Sequence, residues 1–212
     1  MICSPSFLSC DFNKLELEIK SINEAKWIHF DVMDGIFVPS TTYNHHVLSR
    51  IKQFSNQFFD CHLMIANPEE VYMDYINAGA DLVTFHFEAT NDPKALIQAI
   101  KDKGVLAGIS IKPGTDVLVL EPLLPILDLI LIMSVEPGKS GQKFIMDSLN
   151  KIKYLEEKRK NNNYKYLIEV DGGINFETAK LVKDSGNDVV VVGSFIFNKK
   201  NRNELVKEFE NV

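Results

Sequence analysis

The chain has 212 residues, 45% of them hydrophobic and 25% charged, the balance of an ordinary globular protein and not of a disordered one. At about 150 residues per domain this length makes one compact domain or two small ones, with enough chain to bury a core unaided. A formal net charge of −6 and a pI near 5.4 argue against a nucleic-acid partner, whose phosphates are held by clustered Lys and Arg. Cys3, Cys10 and Cys61 form neither an even disulfide set nor a close metal-binding pair, which fits a reducing compartment. The N-terminus lacks a basic segment followed by an apolar one. The most apolar stretch, 117–135, is interrupted by Glu121, Pro122, Pro125 and Asp128 and is too broken to span a bilayer. The expectation is a cytoplasmic protein with no membrane partner.

Short apolar runs alternate with amphipathic stretches along the whole chain. A strand-like run at 2–8 precedes a helical pattern at 12–24, where Phe12, Leu15, Leu17, Ile19 and Ile22 recur behind Asp11 as N-cap. A run at 27–32 and a helix at 47–54 follow, then a run at 58–64. Asn67-Pro68-Glu69-Glu70 opens a helix over 68–78 with a cap, a first-turn proline and acids at the positive helix end. After the run at 82–87, Asp92-Pro93 opens a helix over 93–103 that stops on Gly104. Runs at 106–111, 127–133, 166–170 and 189–192 alternate with helices over 117–124, 146–160, 176–185 and 202–209; residues 158–163 read as a solvated helix end. The Ala78-Gly79-Ala80-Asp81-Leu82-Val83 junction resembles Ser185-Gly186-Asn187-Asp188-Val189-Val190, as a repeated β-α unit would. Several runs are nearly continuous in Val, Ile, Leu and Phe, the mark of parallel strands covered on both faces. With no linker between them, these elements predict one (β/α)8 TIM barrel over residues 1–212.

The C-terminal strand ends of such a barrel form its active face. Here they carry Ser6, His29 with Asp31, His62, His86 with Glu88, Lys112, Ser134 with Glu136, Asp171, and Gly193 with Ser194. Buried charge is costly unless paired, hydrogen-bonded or bound to metal. His29 and Asp31 are two apart on a strand and share a face; His62 and Asp171 end two other strands. Any one of these histidines alone is as readily a hydrogen-bonded core residue. The four together form a donor set for Zn²⁺, Mn²⁺, Fe²⁺ or Co²⁺.

A second constellation is Asp171-Gly172-Gly173-Ile174-Asn175 with Val192-Gly193-Ser194. One glycine pair is usually a tight turn. Two of them at the ends of strands seven and eight mark the usual barrel address of a substrate phosphate. Pro137-Gly138-Lys139-Ser140-Gly141-Gln142 adds a third glycine loop, with Lys139 as a charge; its order is not that of a Walker loop.

These residues resemble a known family. Ser4-Pro5-Ser6-Phe7-Leu8-Ser9-Cys10-Asp11-Phe12 is similar to the opening of ribulose-phosphate 3-epimerases, and His29-Phe30-Asp31-Val32-Met33-Asp34-Gly35 with Phe37-Val38-Pro39 resembles that family's most diagnostic motif. Cys61-His62-Leu63-Met64, His86 with Glu88-Ala89, Ile111-Lys112-Pro113-Gly114-Thr115, Met133-Ser134-Val135-Glu136-Pro137-Gly138 and Glu169-Val170-Asp171-Gly172-Gly173 follow in the family's order. The resemblance covers nearly the whole chain.

It implies a barrel of the ribulose-phosphate-binding type and a metal-dependent isomerase of the pentose phosphate pathway. The reaction interconverts D-ribulose 5-phosphate and D-xylulose 5-phosphate through a metal-stabilised 2,3-enediolate. The resemblance places one divalent ion (Zn, Fe, Mn or Co) on His29, Asp31, His62 and Asp171, with Asp31 and Asp171 also as the acid/base pair. It places substrate against Ser6, His62, Met33, Met64, Met133 and Asp171, and phosphate against Gly138 to Gly141, Gly172, Gly173, Gly193 and Ser194. It also implies a homo-oligomer, a dimer or hexamer. Strands two and seven are expected on opposite sides of the barrel axis, which suits acid/base groups on opposite substrate faces.

The chain departs from the family pattern at Ile36, over Ser40-Thr41-Thr42-Tyr43-Asn44-His45-His46 and at Gly138-Lys139-Ser140-Gly141. Ser140 has a Cβ where a glycine could use positive φ, so phosphate is expected to bind in altered detail. His45 and His46 have no family role. The nearest rival is a 3-epimerase of another ketose phosphate such as D-allulose 6-phosphate, with pocket length varied through residues 40–46. Others are a barrel lyase or decarboxylase using Lys112, and a non-catalytic sugar-phosphate sensor.

Overall fold

The computed structural model describes residues 1–212. Its strands are β1 (Ile2–Pro5), β2 (Trp27–Met33), β3 (Phe58–Met64), β4 (Leu82–His86), β5 (Leu106–Ile111), β6 (Leu129–Met133), β7 (Leu167–Asp171) and β8 (Val189–Val192). All pair in parallel in one sheet ordered β1-β8-β7-β6-β5-β4-β3-β2. A lone parallel bridge from Ser6 to His29 joins β1 to β2. The sheet is therefore a (β/α)8 barrel with one light seam.

The outer layer comprises α1 (Leu15–Lys20), α2 (His45–Lys52), α3 (Tyr72–Ala78), α4 (Pro93–Lys101), α5 (Ser148–Asn162), α6 (Phe176–Asp184), α7 (Ser194–Phe197) and α8 (Arg202–Glu210). Asn44, Asp92 and Asn175 cap α2, α4 and α6 through side-chain oxygens that accept first-turn N–H groups. Over the expected helix at 117–124 there are instead two 3-10 turns, Val117–Leu120 and Leu124–Ile126. Pro122 and Pro125 explain it, because each lacks an N–H and crowds the turn before it. The first expected helix is likewise divided into a 3-10 turn, Phe12–Lys14, and α1. No helix is long and apolar enough to cross a membrane, and the three cysteines are unpaired.

Alternation along each strand sends one set of side chains outward to the helices and the other into the barrel. Outward residues such as Ile28, Phe30, Phe59, Cys61, Val83, Phe85, Ile130 and Val190 make the main core. Inside, Leu82, Leu129 and Leu131 pack with Trp27, Phe58 and Leu167 as an apolar plug. Above the plug the interior turns polar, with His29, Asp60, His62, Thr84, His86, Ser110 and Glu169 all fully buried.

Three aspartates just before even-numbered strands set the register. Asp81, Asp128 and Asp188 accept the backbone N–H of Phe59, Ala107 and Ile168 at 2.8, 2.9 and 2.8 Å. Their own N–H groups donate to the carbonyls of those same residues, and their carbonyls accept from Leu106, Leu167 and Ile2 of the next strand round. Lys52, Lys101 and Arg159 from α2, α4 and α5 pair with the carboxylates. Each aspartate thus ties three strands and a helix together. Asp128→Ala is expected to lower unfolding free energy by about 1.5–3 kcal/mol, the worth of hydrogen bonds to a charged group. Urea denaturation measures it; a loss below about 0.5 kcal/mol would place this residue among ordinary surface positions.

Candidate functional site

The parallel register of β2 and β3 sets His29 beside Asp60, Asp31 beside His62 and Met33 beside Met64. All these side chains point into the barrel. His29 Nε2, His62 Nδ1 and Asp31 Oδ1 form a triangle with sides of 3.3 Å (His29 to His62), 3.3 Å (His62 to Asp31) and 3.4 Å (His29 to Asp31). Ligands about 2.0–2.1 Å from a shared tetrahedral centre are separated by such distances. Asp171, at the end of β7, brings a carboxylate oxygen within 4.8 Å of the other three donor atoms. Two imidazoles and two carboxylates at this spacing fit a divalent transition metal.

The other faces of these residues are also engaged. His29 Nδ1 is 2.6 Å from Asp60 Oδ2, and Ser6 Oγ donates to Asp31 Oδ2 at 2.6 Å. His62 Nε2 lies 2.9 Å from His86 Nε2. Burial disfavours a charged His29, yet the carboxylates of Asp60 and Asp31 outweigh it and hold its pKa well above the usual imidazole range. Burial would raise Asp31 too, but His29 and His62 keep it well below the usual carboxylate range. Asp171 is pushed up to about 7 by burial and by the charge of Asp31. Near neutral pH one carboxylate is ionised while its neighbour keeps much of its proton. Asp31 and Asp171 are not diametrically opposed, since only β1 and β8 separate their strands on the short way round; their facing geometry comes from convergence on the axis.

A cavity of about 490 Å³ opens above these groups. It is lined at its inner end by Ser6, Asp31, Asp171 and the buried Met33, Met64 and Met133, and elsewhere by Gly138 to Gly141, Gly172, Gly173, Gly193 and Ser194. Every expected substrate-side residue except His62, which lies beneath the floor, contributes to this lining. Gly172 and Gly173 have φ of +116° and +64°, and a Cβ would stand 2.4 Å from a Val135 methyl or 2.5 Å from the Phe144 backbone nitrogen. In the third loop the left-handed residues are Gly138 and Gly141. Ser140 is not among them, so its Cβ is accommodated without strain.

Lys112 does not reach the cavity; its ammonium sits 3.9 Å over the Phe37 ring. A lyase lysine is therefore not in place. Residues 40–46 do not line the cavity either: Thr42 braces β2, its hydroxyl accepting from Met33 N–H and donating to the Asp31 carbonyl. His45 and His46 lie at the start of α2, away from the site. Sequence reasoning overlooked Asn198 and Lys199 in the cavity wall and Asp60 and Glu169 beneath the donor atoms. The signal for the last two was available, because each precedes a donor by two positions on the same strand.

Comparison with known proteins places this arrangement. A model of the ribulose-phosphate 3 epimerase family matches residues 2–197. The ribulose-phosphate 3-epimerase of Treponema pallidum is 42% identical over 207 residues, spanning 97% of this chain and 95% of that protein. That of Bacillus subtilis is 41% identical over 208 residues, spanning 97% and 96%. Among solved structures, 3-hexulose-6-phosphate synthase from Salmonella typhimurium superposes with a TM-score of 0.74 at 18% identity over 100% of this chain and 97% of its own. KGPDC from Streptococcus mutans does so at 0.73 and 17%, over 99% and 95%. Identities this low establish the shared barrel alone.

Because Gly173 sits where a side chain meets backbone, Gly173→Ala is expected to cost about 1–3 kcal/mol of stability. Thermal unfolding measures it, and an unchanged midpoint would mean that this turn relaxes freely.

Proposed function

The chain belongs to the ribulose-phosphate 3-epimerase family, an isomerase family, and from that premise we propose that it interconverts D-ribulose 5-phosphate and D-xylulose 5-phosphate by inversion at C3. The observation that carries this reading is the convergence of two carboxylates of opposite protonation tendency with two histidines, at one end of a cavity whose other end is glycine-lined. A pentose phosphate pathway enzyme of the cytoplasm accords with the acidic chain and its unpaired thiols.

Removing the proton at C3, α to the ketone, leaves negative charge on the C2 oxygen. A divalent ion held by His29, Asp31, His62 and Asp171 supplies Lewis-acid stabilisation of that charge when bound. Asp31, ionised, accepts the C3 proton from one face of the sugar. Asp171, carrying a proton, returns one to the opposite face, and C3 is inverted. In the reverse direction the two exchange roles, so the pair needs one ionised and one protonated member at each stage. Ser6 holds the Asp31 carboxylate in place by its hydrogen bond. Met33, Met64 and Met133 form an apolar wall that offers the planar intermediate no stray proton. At the far end, backbone N–H groups of the glycine turns receive the phosphate dianion, and Lys139 and Lys199 add positive charge.

Asp31→Asn and Asp171→Asn should each fold and lose turnover by about 10²–10⁴-fold. A well-folded variant that keeps more than about a tenth of wild-type kcat overturns the two-base assignment. Elemental analysis should find about one divalent ion per chain, and chelation should abolish activity; full activity after exhaustive demetallation rules the metal out. A coupled assay comparing D-ribulose 5-phosphate, D-allulose 6-phosphate and unphosphorylated D-ribulose tests the substrate. Preference for the first supports the reading, preference for the second replaces it, and equal efficiency with the third removes the phosphate role of the glycine turns.

A further inference from the structure

We propose that His86 and Glu88 are positioning residues for His62, forming a hydrogen-bonded relay from the barrel rim that fixes which ring nitrogen His62 presents to the ion. The inference deepens the metal reading above and rests on it.

The two donor histidines are supported differently. His29 has a carboxylate directly behind it, with Nδ1 against Asp60 at 2.6 Å. Once an ion displaces the proton on Nε2, the proton left on Nδ1 is donated to Asp60 and the Nε2 lone pair faces the triangle, an arrangement common behind metal-bound imidazoles. His62 has no carboxylate behind it. Its outer nitrogen, Nε2, meets the Nε2 of a second imidazole, His86, at 2.9 Å, and both rings are fully buried. Such a pair holds in two ways. If His62 donates, its Nδ1 is free for a ligand bond. If His86 donates, His62 must carry its proton on Nδ1, pointing at Asp31 and the shared centre, and cannot ligate there.

Glu88 decides between them. Its Oε2 lies 3.3 Å from His86 Nδ1, so a bare Nδ1 would set one acceptor against another. The carboxylate is kept ionised by its remaining contacts: Oε1 accepts the Lys112 N–H at 2.8 Å and the Thr115 hydroxyl. His86 therefore holds its proton on Nδ1 and donates it to Glu88. That leaves His86 Nε2 as an acceptor, and His62 must donate to it from Nε2. The chain of donors runs His62 Nε2–H to His86, then His86 Nδ1–H to Glu88, and it ends with the His62 Nδ1 lone pair aimed at the triangle.

The structure around the relay keeps it rigid. The Lys112–Thr115 turn that grips Glu88 is itself held by the Lys151 ammonium, which donates to the carbonyls of Lys112, Pro113 and Thr115. Phe37 packs over the His86 ring with centroids 4.7 Å apart and shields it from water.

The test begins with the full-length, zinc-loaded protein labelled with ¹⁵N-histidine. Long-range ¹H–¹⁵N spectra report which nitrogen of each ring carries a proton, and the chain has only five histidines. The expected pattern is His86 protonated on Nδ1 alone. His86 protonated on Nε2, or on both nitrogens, overturns the relay. A second measurement uses His86→Phe, which keeps an aromatic ring without an acceptor, and His86→Gln, which restores one. Zinc affinity by chelator competition should fall about 10–100-fold in the Phe variant and recover in large part in the Gln variant. The visible bands of the cobalt-loaded protein should shift and recover in parallel. A folded Phe variant with wild-type affinity and an unaltered cobalt spectrum defeats the proposal. If the wild-type chain binds neither metal, the parent reading fails instead, and the proton pattern of the metal-free protein still decides the relay.

Discussion

Strand register is the constraint on which the rest of this molecule depends. In a parallel barrel a slip of one residue exchanges every inward side chain for an outward one. Asp81, Asp128 and Asp188 oppose such a slip at the end of the barrel away from the cavity, each bonding one strand twice and the next once. With the ladder fixed there, Asp60, His62, Glu169 and Asp171 at the other end have no freedom to choose their faces, and the pairing of β2 with β3 carries the same register on to His29 and Asp31. The glycine before each of Asp81 and Asp188 and the apolar strand after it are therefore more than a repeated sequence pattern. They mark a repeated joint, and the chemistry stands on it.

The interior set in place by this joint is a poor one for stability. His29, Asp60, His62, His86 and Glu169 are fully buried, where ionised groups are expensive unless matched. Asp60 meets part of the cost by bonding His29. Glu169 is the residue least provided for: neither of its carboxylate oxygens has a hydrogen-bond partner, and burial with the nearby Asp60 charge drives its pKa well above the ordinary range. An apolar layer like the Leu82, Leu129 and Leu131 plug below would pack at lower cost. Polar groups concentrated in one layer, directly under the donors, indicate that this layer serves the site and that the leucine plug and outer core carry the fold.

Much of this was legible in the sequence, for definable reasons. The strands at 106–111 and 189–192 were bounded correctly because near-continuous apolar runs end abruptly at turn residues. The convergence of His29, Asp31, His62 and Asp171 was legible because strand ends and period-two spacing fix both height and face. The helix expected at 117–124 was not there, because apolar spacing outweighed Pro122 and Pro125 in the reading while the backbone obeys the prolines. Lys112, the lysine of the rival lyase reading, shows what sequence position leaves open. A strand end gives a side chain's root, and a four-carbon stem can carry the charge elsewhere, here over Phe37. Residues 40–46 likewise belong to a brace under β2, which only the Thr42 hydrogen bonds reveal.

The barrel's lightest joint lies between β1 and β2, closed by the Ser6–His29 bridge and the Ser6 hydroxyl on Asp31. His29, Asp31 and His62 stand on the β2–β3 side of that joint, and Asp171 stands beyond it on β7. A ligand that draws these four together consequently acts as a clasp on an open bracelet. An ion held by all four would add a cross-link at the place where the strand ladder is joined by a single bridge.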